Sequence, residues 1–204
     1  MRQLTEKSVV LATHNSGKLQ EFRELLAPFG RLVIPAREFG LDEPAETEAS
    51  FAGNARIKAA HAARSTGVPS LADDSGIEVD ALAGQPGIHT ADWAETPGGR
   101  DFRIMMDRTW RMLEDAGAPE PWSARFRCSL CIAWPDGHDT SFEGSVAGRF
   151  VWPMRGGNGF GFDPIFQPDG HNLTFGEMDP GQKQGMSPRT AAFAKFVDTC
   201  LRDA

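Results

Sequence analysis

Two adjacent carboxylates, Asp73 and Asp74, end the apolar run Ser70-Leu71-Ala72 and lead into Ser75-Gly76. In extended chain, neighbouring side chains point to opposite faces, so one carboxylate can face a cleft while the other caps a turn. Upstream, the loop over 36–49 carries Asp42, Glu43, Glu46 and Glu48. One carboxylate of the pair and this acidic loop make an oxygen-only donor set. Such a set suits Mg²⁺ or Mn²⁺, which take a few carboxylates, waters and substrate phosphates. Asp-Asp-Ser-Gly is equally ordinary as a turn, since each of its residues is turn-prone.

Cations accompany the acids. LATHNSGK, residues 11–18, closes a short apolar run and ends in Lys18. A P-loop needs a glycine five residues before its Gly-Lys pair and a hydroxyl after it; here those positions hold Ala12 and Leu19. Asn54 and Lys58 lie four apart and hence on one helix face, among the alanines of 55–63. Lys18 and Lys58 both fall near predicted helix beginnings, where backbone N–H groups and the dipole favour anions. A solvated helix lysine is the ordinary alternative for Lys58.

A third group is aromatic. Gly156-Gly157-Asn158-Gly159-Phe160-Gly161-Phe162-Asp163 is glycine-rich enough for backbone to approach a flat ligand closely. Phe160 and Phe162 share a face if the segment is extended; one can stack on a base and Asp163 can accept from a ring N–H. A glycine-rich hairpin with core aromatics explains the same residues. Lys183 and Ser187-Pro188-Arg189 add a basic cluster before the last helix.

The elements that must position these groups follow from periodicity and breakers. Strands are expected over about 8–13, 31–35, 123–134 and 139–151, the last two joined by the Pro135-Asp136-Gly137 turn. Helices are expected over about 18–28, 50–65, 100–115 and 188–202. Residues 70–79 read as strand, polar break, strand; 84–99 read as a loop, and 154–170 as a glycine-rich loop around an aromatic strand. Alternation early and antiparallel strands late predict an α/β fold with a mixed sheet. All 204 residues are expected to form one domain, with lobes divided near residue 120 conceivable.

Composition excludes several classes. The residues are 40% hydrophobic and 24% charged, with no apolar run near the ~20 residues of a membrane span. A net charge of −7 without a Lys/Arg block argues against a broad grip on nucleic acid. Cys128 and Cys131 have CxxC spacing, but no second pair completes a zinc set. Reduced, partly buried thiols and a cytoplasmic setting without a signal peptide are expected.

The blocks LATHNSGKLQEF, ETEASFAGNARIKAA, LADDSGIEVDAL, PGIHTADWAE, GFGFDPIFQPDG, TFGEM and KQGMSPR stand in one order from Val9 to about Phe196. In that order the chain resembles the inosine/xanthosine triphosphate pyrophosphatase family, house-cleaning enzymes that act on aberrant purine nucleoside triphosphates. The resemblance implies an elongated mixed sheet flanked by helices, two lobes around a central substrate cleft, and a homodimer. It implies that Thr13, His14, Asn15, Ser16, Gly17 and Lys18 bind the triphosphate, with Asn54 and Lys58 close by. Asp74 matches the general base, Ser75 its substrate-binding neighbour, and Glu46 with Asp74 the Mg²⁺ ligands. Phe160, Gly161, Phe162 and Asp163 match the base pocket, and Lys183, Pro188 and Arg189 the segment that reads the base.

By that resemblance, water attacks the α-phosphorus of dITP, ITP or XTP, giving the monophosphate and pyrophosphate. Three departures stand out. Pro188 replaces the family's usual histidine, Gly53 its usual glutamate, and Asp92 an arginine that is common there. They bear on base selectivity, metal affinity and substrate closure respectively. Whether Glu43, Glu48 or Asp73 also meets the metal is open. The rival readings are a related-fold pyrophosphatase for pyrimidine or modified nucleotides, a nucleotide sensor that does not hydrolyse, and a P-loop NTPase.

Overall fold

The computed structural model describes residues 2–201. In chain order the elements are β1 (Ser8–Leu11), α1 (Ser16–Leu26), β2 (Leu32–Pro35), α2 (Phe51–Thr66), β3 (Ser70–Val79), β4 (Glu95–Thr96), β5 (Gly99–Arg100), α3 (Phe102–Asp115), β6 (Trp122–Ala133), β7 (Asp139–Phe150), β8 (Phe166–Pro168), α4 (Pro180–Met186) and α5 (Pro188–Cys200). Six strands form one mixed sheet in the order β2-β1-β3-β6-β7-β8. β1 pairs in parallel with β2 and β3, and β7 antiparallel with β8. The α/β class and mixed sheet expected from the alternation are present. No described helix is long and apolar enough to cross a membrane.

The chain divides into two compact units that share it in alternation. Among the described residues, the first holds 2–74, 128–144 and 189–201, the second 75–127 and 145–188. The division is therefore not a single cut near residue 120; β3, β6 and β7 each run from one unit into the other.

Strand alternation builds the first unit. Val9 and Leu11 of β1, Leu71 of β3, and Leu130 and Ile132 of β6 pack against Leu19, Phe22 and Leu26 of α1 and Phe193 and Phe196 of α5. Val10, Ala12, Ala72, Cys131 and Ala133 face the other way, onto Ala55, Ala59, Ala62 and Ala63 of α2. Alanines on both sides form this interface, and Asn54 and Lys58 of α2 reach Asp74 on β3. In the second unit a separate core gathers Ile77, Val79, Met105, Leu113, Phe150, Phe162, Phe166 and Phe175.

Three local expectations are corrected. Residues 70–79 are one unbroken strand, so Asp-Asp-Ser-Gly is not a turn. Each carboxylate there meets a cation on its own face of the strand, and the strand continues through both to Val79. Phe160 and Phe162 do not share a face: Gly159 and Gly161 take φ of 76° and 66°, and the chain turns between the two rings. Phe162 is core, while Phe160 is half-buried. The short helix α4 falls where no element was expected, opened by Asp179, whose side chain accepts from Gly181 and Gln182 N–H.

Candidate active site

The strand alternation decides what each member of the acidic pair meets. Asp73 shares the parity of Leu71 and therefore faces α1 and α5. Its Oδ2 lies 3.0 Å from Lys18 Nζ and 3.0 Å from Arg189 Nη2, and accepts from Arg189 Nε at 3.3 Å. Cys128, in phase with Leu130, donates its thiol to the same oxygen at 3.8 Å. Arg189 Nη1 also pairs with Glu21. Burial would raise the Asp73 pKa, but the Lys18 and Arg189 charges outweigh it and hold the carboxyl far below the ordinary range. Burial beside Asp73 pushes the Cys128 thiol up to about 12, so it stays protonated.

Asp74 shares the parity of Ala72 and faces α2. Its Oδ1 lies 3.7 Å from Lys58 Nζ, and its Oδ2 accepts from Asn54 Nδ2 at 3.3 Å. Lys58 Nζ in turn donates to Glu46 Oε1 at 2.6 Å. Lys58 is the eighth residue of α2, not near its beginning, and is buried, not solvated. Burial works to lower its pKa; the Asp74 and Glu46 charges overcome that and hold the ammonium above its ordinary value. Burial raises the Asp74 pKa, and Glu46 adds to the rise against the opposing Lys58 charge.

The LATHNSGK turn presents Lys18 on the first turn of α1. Asn15 is the N-cap, its Oδ1 accepting from Lys18 N at 3.1 Å, and Asn15 N donates to Thr13 Oγ1 at 3.1 Å. Ser16 and Gly17 are the first two residues of α1. His14 N donates to Glu43 Oε1 at 3.0 Å, tying the acidic loop to this turn. On α2, Ser50 caps the helix through Gly53 N, and Asn54 Oδ1 accepts from Glu48 N at 3.0 Å. A Cβ on Gly53 would lie 2.5 Å from Glu48 Cβ and 2.8 Å from Cγ. Glu48 thus lies across the position where the family's usual glutamate would stand.

The second unit places Ser75 on β3 and gathers the aromatic loop. Asp163 is buried, and its Oδ2 accepts from Phe160 N at 2.6 Å and Lys183 Nζ at 2.6 Å. Lys183 Nζ lies 4.8 Å from the centre of the Phe160 ring, a cation–π contact. Gly159 is required here, since a Cβ on it would fall 2.0 Å from Asp163 Oδ2. Pro188 and Arg189 begin α5, whose Arg189 side chain belongs to the Asp73 cluster of the first unit.

Two clusters therefore gather several of the expected residues: Lys18 and Arg189 around Asp73, and Lys58, Glu46 and Asn54 around Asp74. Sequence reasoning missed Glu21 and Cys128. Glu21 stands three residues after Lys18 on α1, and Cys128 two before Leu130 on β6; helical and strand spacing were the available signals.

The Ham1 family model matches residues 9–199. The chain belongs to the Ham1 family. It is 56% identical to the dITP/XTP pyrophosphatase of Ruegeria pomeroyi, over 95% of each chain. It is 49% identical to the dITP/XTP pyrophosphatase of Agrobacterium fabrum, over 98% of this chain and 99% of that one. Among solved structures, a HAM1 protein from Coxiella burnetii superposes with a TM-score of 0.88 at 35% identity, covering 98% of this chain and all of the other. Within this Ham1 chain, the Asp74 cluster lies in the segments ETEASFAGNARIKAA and LADDSGIEVDAL, and the Asp73 cluster draws on LADDSGIEVDAL, LATHNSGKLQEF and KQGMSPR, with Cys128 outside all of them.

Proposed function

We propose that this chain hydrolyses non-canonical purine nucleoside triphosphates, dITP, ITP and XTP, to the monophosphate and pyrophosphate. The observation that carries the reading is the Asp74 cluster. It joins a buried carboxylate of raised pKa to a buried ammonium and a second carboxylate, within a family whose relatives bear this activity in their names. A carboxylate pushed upward by burial is a better proton acceptor than a solvated one.

The donor set also fits a divalent cation. Glu46 and Asp74 converge on one point, presently that of Lys58 Nζ, and carry one more negative charge than the lysine balances. Among the described residues, no three His, Cys, Asp or Glu side chains gather as a complete cage. Mg²⁺ needs none, since it keeps several waters and takes the rest of its ligands from phosphate. Glu46 and Asp74 would hold it, with Mn²⁺ as a substitute. When bound, Mg²⁺ would neutralise triphosphate charge and orient the phosphate chain.

The chain's own residues do the remainder. Asp74 takes a proton from the water that attacks the α-phosphorus. Lys18, on the first turn of α1, and Lys58 stabilise charge growing on the phosphate oxygens. Thr13, His14, Asn15, Ser16 and Gly17 shape the turn and offer the N-terminus of α1 to phosphate. Asn54 orients Asp74. Phe160, Gly161 and Asp163, with Lys183 over the ring, receive the base, and Ser75 lies beside the general base on β3. Arg189, which the family resemblance assigns to the base, is engaged by Asp73 and Glu21. A homodimer and a cytoplasmic setting belong to the same reading.

A panel of ITP, dITP, XTP, ATP, GTP, CTP and UTP with Mg²⁺, resolving pyrophosphate from orthophosphate, tests it. The expected result is pyrophosphate release fastest from ITP, dITP or XTP, and little from ATP. Orthophosphate release, or pyrophosphate mainly from pyrimidine nucleotides, would overturn it.

A further inference from the structure

The contacts of the Asp73 cluster converge on a single oxygen. Lys18 Nζ, two nitrogens of Arg189 and the Cys128 thiol all reach one atom, Asp73 Oδ2. Glu21 holds the far nitrogen of Arg189 and lies three residues from Lys18 on α1. Along the contacts Lys18, Asp73, Arg189 and Glu21 the charges therefore alternate in sign and sum to zero. The Asp73 side chain is fully buried, whereas that of Lys18 keeps 16% of its surface exposed.

Buried ion pairs are poor stabilisers. Replacing them with apolar groups of the same volume is often neutral or better, because desolvation cancels the attraction. What a buried anion does provide is a fixed point for a long, flexible ammonium arm. A lysine side chain loses up to about 2 kcal/mol of rotamer freedom on being held. Held in advance, it does not lose that freedom when the phosphate arrives.

We propose that Asp73 is a positioning residue, whose Oδ2 fixes the ammonium of Lys18 where the triphosphate is to be met. Asp73 itself touches neither phosphate nor the attacking water. The proposal rests on the reading of Lys18 as a phosphate ligand and adds to it a cause for the lysine's placement.

The test is a double-mutant cycle on binding, since coupled residues fail to add and independent ones do not. The affinity of inosine 5′-(α,β-imido)triphosphate is measured by titration calorimetry for the wild-type chain, Asp73→Asn, Lys18→Met and the double variant. Thermal melts check that each is folded. Asp73→Asn is expected to weaken binding about tenfold in the wild-type background and less than twofold where Lys18 is already methionine. Equal losses in both backgrounds would overturn the proposal, because Asp73 would then act through the fold at large. Should Asp73→Asn not fold, Asp73→Glu carries the same cycle with the charge kept and the oxygen displaced. If neither folds, Asp73 is a residue of the fold and the proposal fails. A wild-type chain that neither binds the analogue nor releases pyrophosphate would sink the reading of the site itself, a distinguishable result.

Discussion

Asp73 and Asp74 are the same residue type, one position apart on one strand, both nearly excluded from solvent, and their carboxyls are driven in opposite directions. Asp73 meets two cations and belongs to a cluster whose charges cancel. Asp74 shares one cation with Glu46, leaving an excess negative charge. The first is a tethered anion and the second a poised base. Strand parity alone separates them, by turning one toward α1 and α5 and the other toward α2. A pair of identical acids in sequence thus need not be a pair in chemistry.

The largest expected difference is in turnover. Asp74→Asn removes the proton acceptor without changing volume and should lower pyrophosphate release from ITP at least about a thousandfold, within the range for a lost general base. In the wild-type chain the acid limb of kcat/KM should lie above the ordinary aspartate value of about 3.9, because Asp74 must be deprotonated and burial has raised its pKa. A limb at or below that value, or near-normal activity in Asp74→Asn, would erase the distinction drawn between the two acids.

Stability should separate them with opposite signs. The folded pKa of Asp73 is depressed, so its charge contributes stability that is present above the unfolded pKa and lost as pH falls. Asp73→Asn leaves Arg189 and Lys18 undercompensated and should cost about 3–5 kcal/mol in urea denaturation at neutral pH, as broken buried pairs do. The folded pKa of Asp74 is raised, so its charged form opposes folding, and stability is lost as pH rises through that value. Asp74→Asn should therefore melt no lower than the wild-type chain and, at neutral pH, slightly higher. Two equal losses would mean that both carboxylates are struts.

The smallest effect concerns the residue before Arg189. Pro188→His adds a donor at the start of α5 and should raise the preference for ITP over ATP severalfold, within the 1–3 kcal/mol of one polar contact. An unchanged ratio would leave base reading to Phe160, Asp163 and Lys183.

Much of this was legible in the sequence. The helices α1, α2, α3 and α5 and the strands β6 and β7 announce themselves by period and breakers, and the order of the motif blocks points to the family. What could not be read is the work of long-range compensation. Asp-Asp-Ser-Gly has turn composition, yet the cations that keep it extended come from α1, α2 and α5, as many as 116 residues away for Arg189. Nothing local distinguishes Asp73 from Asp74, or marks Glu21 and Cys128 as their partners. Phe160 and Phe162 share a face only where the chain between them is extended; glycines of positive φ at 159 and 161 turn it there, and Phe162 joins the core.

Gly53 constrains how this sequence can change over generations. With Glu48 Cβ 2.5 Å from where a side chain at 53 would begin, the two positions are not independent letters. A side chain at 53 requires the chain around residue 48 to move away, since even the Cβ of residue 48 stands in its place. A single close approach thus ties any substitution at 53 to the path of the loop that precedes α2.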